Sequence, residues 1–311
     1  MYVGIDLGGS YLKYGLVSEN GDILDKNALK SPHHLADFYT TIETIVHHYQ
    51  EKGLIKGIGI SSPGIIRQDG TMLLSGALKS FVGANYPKEL ERRLHLPTRV
   101  ENDGNCVAIA EKWLGNAKNL SDYICVVIGT GVGGGIVVND RLYRGGRGMA
   151  GEFGLMMIDK LPQDEDLEMV SLNKRAAVVG GYIRRYNEAV LKNGHPESCV
   201  EDARLLLQRA EENDPLALTY TKAFITDLAV GLVNIIAAFD PQVLLLGGGI
   251  SENESFFQLL EKEIHRLIKE HATLHLLESI GLPPVRPAKL HNNAGLLGAV
   301  YLVKEAVEGT K

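Results

Sequence analysis

The chain has 311 residues, of which 45% are hydrophobic and 23% charged, a composition typical of a soluble globular protein of about two domains. Its formal net charge of −6 argues against a strongly basic nucleic-acid-binding protein. The three cysteines, Cys106, Cys125 and Cys199, include no CxxC pair, which argues against a disulfide scaffold and a cysteine-rich zinc site. The 35 glycines exceed the usual share of about 7%, so glycine-rich turns need an explanation.

The first third of the chain alternates predicted strands with predicted helices. Gly-Gly-Ser and Asn-Gly turns separate the first three apolar segments, and apolar residues at helical spacing begin at Leu35. The predicted strands are 2–7, 11–18, 23–30, 56–61 and 98–101, and the predicted helices are 35–51, 87–94 and 102–113. The N-terminus has no basic region followed by an apolar stretch, so we predict no secretory signal and a cytoplasmic protein.

The rest of the chain begins with two more predicted strands and continues mostly as helix. The strands are 123–128 and 135–139, then 243–246, and the helical parts are 167–239, 254–270 and 294–308. The apolar run 228–239 is too short to span a bilayer and suits a buried helix. Irregular composition at 114–121 predicts a hinge, and Pro283, Pro284 and Pro287 mark a second irregular stretch.

One internal similarity indicates two related domains. Residues 2–17 and residues 123–138 both read as strand, glycine turn, strand, with Gly9 matching Gly131. The separation is too long for a solenoid repeat. We therefore predict two similar domains, each opening with a hairpin that has glycine at its tip.

The glycine turns have several possible roles. The stretch GTGVGG (129–134) matches GxGxxG, but Gly134 leads into a strand and not a helix, which argues against a dinucleotide fingerprint. No GxxxxGK[ST] occurs, so a P-loop is excluded. Bare backbone amides at a hairpin tip can still hold phosphates. The alternative is that each turn is only structural. Gly295 and Gly298, at the start of the last predicted helix, would allow either a flat base to bind or close helix packing.

Six segments in chain order resemble the ROK family. They are DLGGSYLK (6–13), SPGII (62–66), ENDGNCVAIAE (101–111), IGTGVGGGIVV (128–138), AGEFG (150–154) and DPQVLLLGGGIS (240–251). That family comprises sugar kinases and repressors of the actin-like ATPase superfamily. The resemblance implies an α/β fold of two actin-like (ribonuclease H-like) domains with a central cleft, which we divide as 1–116 plus 295–311 and 117–294. The repressors carry an additional N-terminal helix-turn-helix, so the start at the first hairpin favours a kinase.

The resemblance implies a catalytic residue and a set of sugar-binding residues. Asp103 matches the family's catalytic aspartate, which would accept the hydroxyl proton during phosphoryl transfer. The sugar-binding residues would be Gly64, Asn102, Asp103, Glu152 and Glu168, the last on a loose alignment. The alternatives are that Asp103 or Asn102 only caps the following helix, and that Glu152 is a surface residue.

The resemblance also implies ATP and Mg²⁺ as cofactors. Asp6 would lie near the magnesium ion through water, and Ser10 and Lys13 fit the pattern DxGxTxxK, with serine in place of threonine. The remaining nucleotide-binding residues would be Gly8, Gly9, Thr130, Gly131, Gly133, Gly248 and Gly249. An Asp6 that only initiates a turn and a solvated Lys13 are the alternatives.

Two departures from the family pattern bear on metal and substrate. Leu155 replaces the histidine of GEFGH, and no cysteine lies between Cys125 and Cys199, so we predict no zinc site; His271 and His275 lack the glutamate of HExxH. The pair Ala77-Leu78 stands where glucokinase-type members have Asn-Leu. The chain is thus more similar to zinc-free members that phosphorylate β-glucosides or N-acetylmannosamine.

These observations predict an ATP-dependent sugar kinase that phosphorylates a hydroxyl of a hexose derivative. The resemblance implies that this is the 6-hydroxyl. The alternatives are a glucokinase acting on free glucose, a non-catalytic sugar sensor with the same fold, and an actin-like ATPase without a sugar acceptor. We expect a homodimer whose partners are sugar and ATP, with neither nucleic acid nor membrane among them.

Overall fold

The computed structural model describes residues 1–309, which form alternating strands and helices. The strands are β1 (Tyr2–Leu7), β2 (Tyr11–Val17), β3 (Ile23–Lys30), β4 (Ile58–Ser62), β5 (Ile65–Ile66), β6 (Met72–Leu74), β7 (Thr98–Asn102), β8 (Tyr123–Ile128), β9 (Val132–Val138), β10 (Arg141–Tyr143), β11 (Val243–Gly247) and β12 (Val285–Pro287). The glycine turns predicted at 8–10 and 129–131 therefore each join two strands.

The α-helices are α1 (Leu35–Gln50), α2 (Tyr86–Leu94), α3 (Asp103–Trp113), α4 (Leu172–Ala176), α5 (Arg184–Lys192), α6 (Ala203–Glu211), α7 (Pro215–Phe239), α8 (Glu254–Glu270), α9 (Leu274–Leu277) and α10 (Ala294–Glu308). A π-helix, Val178–Ile183, precedes α5. Short 3-10 helices include Phe153–Leu155 and Leu167–Val170.

The chain divides into two compact units. The first comprises Met1–Ser121, Gly135–Gly151 and the chain from Lys289 onward, and the second comprises Asp122–Gly134 and Glu152–Ala288. The domain limits expected from the sequence stay a prediction.

The first unit is built on a five-stranded sheet of order β3-β2-β1-β4-β7. The three hairpin strands are antiparallel, whereas β1, β4 and β7 run parallel to one another. One face of the sheet is covered by a core in which the rings of Phe38, Phe81 and Tyr86 meet edge to face, 5.2–5.6 Å apart. The parallel arrangement places the carboxyl ends of β1, β4 and β7 at one edge, where ligand-binding side chains of open α/β sheets lie.

The other face of that sheet is covered by α10, which also packs against α3. Small residues allow the close approach, because a Cβ at Gly59 would lie 2.0 Å from the Ala299 carbonyl oxygen. At Gly298 a Cβ would lie 1.9 Å from the Cys106 carbonyl oxygen. The packing role considered for Gly298 therefore fits the structure.

A second five-stranded sheet has the order β10-β9-β8-β11-β12, the same succession of hairpin strands and parallel strands. In the second unit α7 packs against α6 and α8, and Tyr182 stacks on Phe224 at 4.5 Å between ring centroids. By length and composition α7 could cross a membrane, and half of its most apolar window is buried inside the protein. That burial fits the buried helix expected at 228–239.

Several short elements differ from the sequence prediction, among them β5, β6 and α9, which were not predicted. Val285–Pro287 is a strand, β12, although its prolines predict an irregular stretch. As the last strand in the sheet order, β12 tolerates Pro287, because an edge strand can lack one ladder donor. Arg141–Tyr143 and the π-helix Val178–Ile183 were also missed, because three residues give no periodicity and a π-helix gives no distinct pattern.

Candidate active site

In the first unit, Asp6 lies at the carboxyl end of β1 with two partners. Its Oδ1 accepts a hydrogen bond from the Ser61 hydroxyl at 2.9 Å, and its Oδ2 lies 3.5 Å from the Lys13 ammonium. Asp6 and Lys13 are also direct register partners between β1 and β2. The ion pair keeps both side chains at the same end of the hairpin, so Lys13 is not simply solvated.

The first glycine turn, Gly8–Ser10, joins β1 to β2. The Gly8 amide donates to the Tyr11 carbonyl oxygen at 3.0 Å and closes the turn. Ser31 holds the turn from one side, because its hydroxyl donates to the Gly8 carbonyl oxygen at 2.5 Å and its amide donates to the Ser10 carbonyl oxygen at 3.0 Å. Ser31 was not singled out from the sequence.

The predicted catalytic aspartate, Asp103, is the first residue of α3 and is exposed. Its Oδ1 accepts the Gly104 amide at 2.9 Å. Asn102 is the residue that caps the helix: its Oδ1 accepts the Asn105 amide at 3.2 Å, and its Nδ2 donates to the Gly64 carbonyl oxygen at 3.0 Å. Because Asn102 fills the capping role, the carboxylate of Asp103 stays accessible at a helix N-terminus, which favours negative charge.

Glu101, next to these residues, was missed by the sequence reasoning. Its side chain is only 6% exposed, and its Oε2 lies 2.7 Å from Nε of Arg144. The Oε1 atom accepts the Asn102 amide and Nδ2 of Asn105, both at 2.9 Å. A charged residue inside a buried strand is itself a signal that a cation must be nearby, but the sequence does not say which one.

In the second unit, the second glycine turn joins β8 to β9 and contains Thr130 and Gly131, and Gly133 is the second residue of β9. The carbonyl oxygen of Gly129 accepts the amides of Val178 and Val179 at 2.9 and 3.2 Å. Asn173, the second residue of α4, accepts the Val132 amide on its Oδ1 at 2.6 Å. These contacts come from residues that sequence reasoning did not identify.

Glu152 precedes the 3-10 helix Phe153–Leu155 of the second unit and is half-buried. Burial raises the pKa of the Glu152 carboxyl above its ordinary value. The surface alternative for Glu152 therefore does not fit. Leu155, three residues later, is 53% exposed.

The other second-unit residues fall into two groups. Gly248 has a φ of 100°, and a Cβ there would lie 2.1 Å from the Ile128 carbonyl oxygen. The backbone of Gly248 therefore lies against the end of β8, and Gly249 is the next residue. Glu168 lies on an exposed 3-10 helix with its carboxylate 3.6 Å from the Lys174 ammonium. That lysine is a partner that the sequence did not suggest for Glu168.

The structure thus brings the predicted residues together in two separate groups. Asp6, the first turn, Lys13, Gly64, Asn102 and Asp103 belong to the first unit, and Thr130, Gly131, Gly133, Glu152, Glu168, Gly248 and Gly249 belong to the second. In residues 1–309, no group of three or more His, Cys, Asp or Glu side chains is placed to hold a metal ion. The predicted absence of zinc stays a prediction.

Comparison with known proteins decides the family. The ROK family model matches residues 2–306. This chain belongs to the ROK family. It is 33% identical over 300 residues to the β-glucoside kinase of Listeria innocua serovar 6a, covering 95% of each chain. It is 28% identical to the N-acetyl-D-glucosamine kinase of Pectobacterium carotovorum subsp. carotovorum, over 97% of this ROK chain and 98% of that one.

Among solved structures, this ROK protein resembles the ROK family glucokinase of Streptomyces griseus, crystallised with glucose and AMPPNP. The TM-score is 0.79 at 25% identity, and the match covers 97% of this chain and 98% of that one. The resemblance stated from the sequence motifs is therefore confirmed, and so is the α/β fold of two actin-like domains.

Proposed function

We propose that this ROK protein is a sugar kinase that transfers the γ-phosphoryl group of ATP to a hydroxyl of a hexose derivative. Among the hydroxyls of the sugar, we propose the 6-hydroxyl as the acceptor. The main support for this proposal is that Asp103 is exposed at the start of α3, where Asn102 caps the helix. Because Asn102 already caps the helix, capping does not account for the acid at position 103. The β-glucoside kinase and N-acetyl-D-glucosamine kinase relatives support a carbohydrate as acceptor.

The proposed mechanism uses Asp103 as the proton acceptor. The sugar hydroxyl gives its proton to the Asp103 carboxylate while its oxygen forms a bond to the γ-phosphorus. The bond between that phosphorus and the β–γ bridging oxygen breaks, and ADP leaves with the bond's electron pair. The hydrogen bond from Gly104 to Asp103 Oδ1, 2.9 Å long, fixes the rotamer of the carboxylate. Positioning of this kind supplies much of the rate in phosphoryl transfer.

Mg²⁺ fits the polar group around Asp6. One Asp6 oxygen accepts the Ser61 hydroxyl and the other faces the Lys13 ammonium. Asp6 is a single carboxylate whose two oxygens both have partners, so it cannot surround the ion with protein ligands. Mg²⁺ does not need such a set of ligands, because it keeps several waters and binds chiefly to substrate phosphates. We therefore propose Asp6 as a water-mediated ligand and Lys13 as a phosphate contact. When bound, the ion neutralises phosphate charge. The proposed phosphate-binding turns contain Gly8, Gly9 and Ser10 in the first unit and Thr130 and Gly131 in the second. Gly133, which lies in β9, and Gly248 and Gly249, which follow β11, complete the proposed nucleotide-binding residues.

We propose a β-glucoside or an N-acylated hexosamine as the sugar, held by Gly64, Asn102, Asp103 and Glu152. Gly64 has a φ of 110°, and its carbonyl oxygen accepts a hydrogen bond from Nδ2 of the Asn102 side chain. This bond fixes the backbone beside Asp103. We also infer a contact from Glu168, although its ion pair with Lys174 would first have to open. Free glucose is the second candidate, because the Streptomyces griseus relative was crystallised with it.

A cytoplasmic homodimer completes the proposal, with domains at 1–116 plus 295–311 and at 117–294. The test of function is an ADP-release assay across a panel of glucose, aryl β-glucosides, cellobiose, N-acetylmannosamine and N-acetylglucosamine, with ATP and Mg²⁺. We expect turnover with at least one modified hexose. Sugar binding by calorimetry without any turnover would support a sensor instead, and sugar-independent ADP release would support an ATPase.

A further inference from the structure

The second glycine turn is held from behind by a segment to which the proposed function gives no role. The amides of Val178 and Val179 donate to the Gly129 carbonyl oxygen at 2.9 and 3.2 Å, and the Gly180 amide donates to the Thr130 carbonyl oxygen at 3.2 Å. These three donors begin the π-helix Val178–Ile183. Single turns of π-helix occur often at functional sites.

Those hydrogen bonds fix the direction in which the peptide groups of the turn point. In a planar trans peptide the N–H points opposite to the C=O. The carbonyls of Gly129 and Thr130 both face the π-helix, so the amides of Thr130 and Gly131 both face away from it. Two successive amides facing the same way form an anion-binding nest.

Asn173 contacts the end of the same turn, where β9 begins. Its Oδ1 accepts the Val132 amide at 2.6 Å. There is little free space around this oxygen, because a Cβ added at Gly131 would lie 3.2 Å from it and a Cβ added at Gly154 would lie 2.1 Å from it. The amide group of Asn173 therefore fits between the glycine turn and the turn that follows Glu152.

The support behind the turn is itself fixed. Asp227, buried in α7, accepts Arg175 at 3.0 Å and Arg185 at 2.8 Å, and these arginines lie on either side of the π-helix. The Ala177 amide donates to the Asn173 carbonyl oxygen at 3.3 Å, which joins Asn173 to the same support.

The first unit contains a similar arrangement. There the hydroxyl and amide of Ser31 donate to the carbonyl oxygens of Gly8 and Ser10. By the same peptide geometry, the Gly9 amide faces away from Ser31. Both glycine turns thus have their carbonyls bound on one side, although the supporting residues differ in sequence and in secondary structure.

We propose that Asn173 is a positioning residue for the nucleotide, which keeps the amides of Thr130 and Gly131 aimed at the phosphates. The inference rests on the proposed kinase function. Removal of the Asn173 oxygen leaves the Val132 amide, in a residue that is only 4% exposed, without its acceptor. The turn then loses one of the contacts that fix its conformation, and the effect falls on ATP more than on the sugar.

The test compares Asn173→Ala with Asn187→Ala as a matched control. Asn187 also bonds the backbone of the second unit, with Val200 as its partner at 2.8 and 2.9 Å, but it lies on α5 away from the turn. We expect Asn173→Ala to raise the KM for ATP about tenfold or more and the KM for the sugar less than threefold. Asn187→Ala should leave both within about twofold. Equal KM values for ATP in the two variants would overturn the proposal.

Asn173→Asp keeps the test decisive if Asn173→Ala folds poorly. The aspartate retains an oxygen for the Val132 amide, so stability should stay near that of the wild type. Its added charge should weaken ATP binding, and higher salt should reduce the loss. Wild-type affinity for ATP in this variant would contradict the proposal.

Calorimetry with ATP and Mg²⁺, without sugar, separates the two levels of inference. Wild-type protein that binds ATP but phosphorylates no sugar would refute the proposed kinase function alone, and weaker ATP binding by Asn173→Ala would still support the role of Asn173. Wild-type protein that binds no ATP would refute both.

Discussion

The carboxylate of Asp103 lies at a helix start where Asn102 already provides the cap. We therefore expect Asp103→Asn to keep the fold and to lower kcat by about 10²–10⁴, because the amide retains the shape but cannot accept the proton. Steady-state kinetics together with thermal unfolding would measure both effects. Turnover above about a tenth of wild type in a folded variant would contradict the assignment of Asp103 as the base.

Glu152 allows a prediction about stability and pH. Burial raises its pKa in the folded protein, so ionisation above that pKa opposes folding, whereas below the ordinary glutamate pKa of about 4 both states are protonated. Glu152→Gln should therefore raise the melting temperature of the ligand-free protein at pH 7 and weaken sugar binding.

The gain in melting temperature should shrink as the pH falls and disappear near pH 4. Thermal unfolding at a series of pH values measures this directly. If Glu152→Gln raised the melting temperature equally at pH 4 and pH 7, removal of a buried charge would not be the cause of the gain.

Leu155 predicts substrate preference. A leucine can neither donate nor accept a hydrogen bond, so a free hydroxyl that becomes buried against it when the sugar binds would lose a partner, at a cost of about 1–3 kcal/mol. If the anomeric end of the sugar lies against Leu155, kcat/KM for glucose should be at least about tenfold below that for a β-glucoside or N-acylated hexosamine. A panel in which glucose is the best substrate would refute this, and Leu155→His should raise glucose activity.

Among the elements, the short strand β10 is connected to β7 by the pair Arg144–Glu101. Arg144 follows β10, and Glu101 is buried in β7. Removal of the Arg144 guanidinium leaves the buried Glu101 carboxylate without its cation, so Arg144→Met should lower the free energy of unfolding by about 3 kcal/mol. Urea denaturation provides the measurement.

The double variant Glu101→Gln/Arg144→Met should recover part of that loss, because no buried charge then remains. Arg141→Met is the control: Arg141 is an exposed arginine at the start of β10, three residues before Arg144, where a change within about 0.5 kcal/mol is expected. An equal loss in Arg141→Met and Arg144→Met would argue that burial of the pair is not the cause.

The sequence predicts those elements whose signal is local. The strand–turn–helix around Asp103 follows from an apolar strand, a capping asparagine and helical spacing within about a dozen residues. Asn173 and Arg144 could not be found in that way, because Val132 lies 41 residues from Asn173 and Glu101 lies 43 residues from Arg144. Neither residue carries a pattern of its own, so only the folded chain shows what it contacts.

For the molecule as a whole, we expect purified protein to contain no stoichiometric zinc. Cys106 and Cys125 are buried, and burial raises the pKa of the Cys106 thiol, which opposes the thiolate that zinc requires. Elemental analysis should therefore find well below one zinc per chain, and a strong chelator should leave the melting temperature unchanged. About one zinc per chain would contradict the prediction.

The packing of α10 has a consequence for synthesis of the chain on the ribosome. The helix covers a face of a sheet whose last strand ends at Asn102, yet its own first residue is Ala294. At about 5–20 residues per second, translation delays the helix by roughly 10–40 s after the sheet has emerged. During that interval Gly4, Gly59 and their apolar neighbours have no helix to contact, so we expect the nascent first unit to expose this apolar face until α10 leaves the exit tunnel.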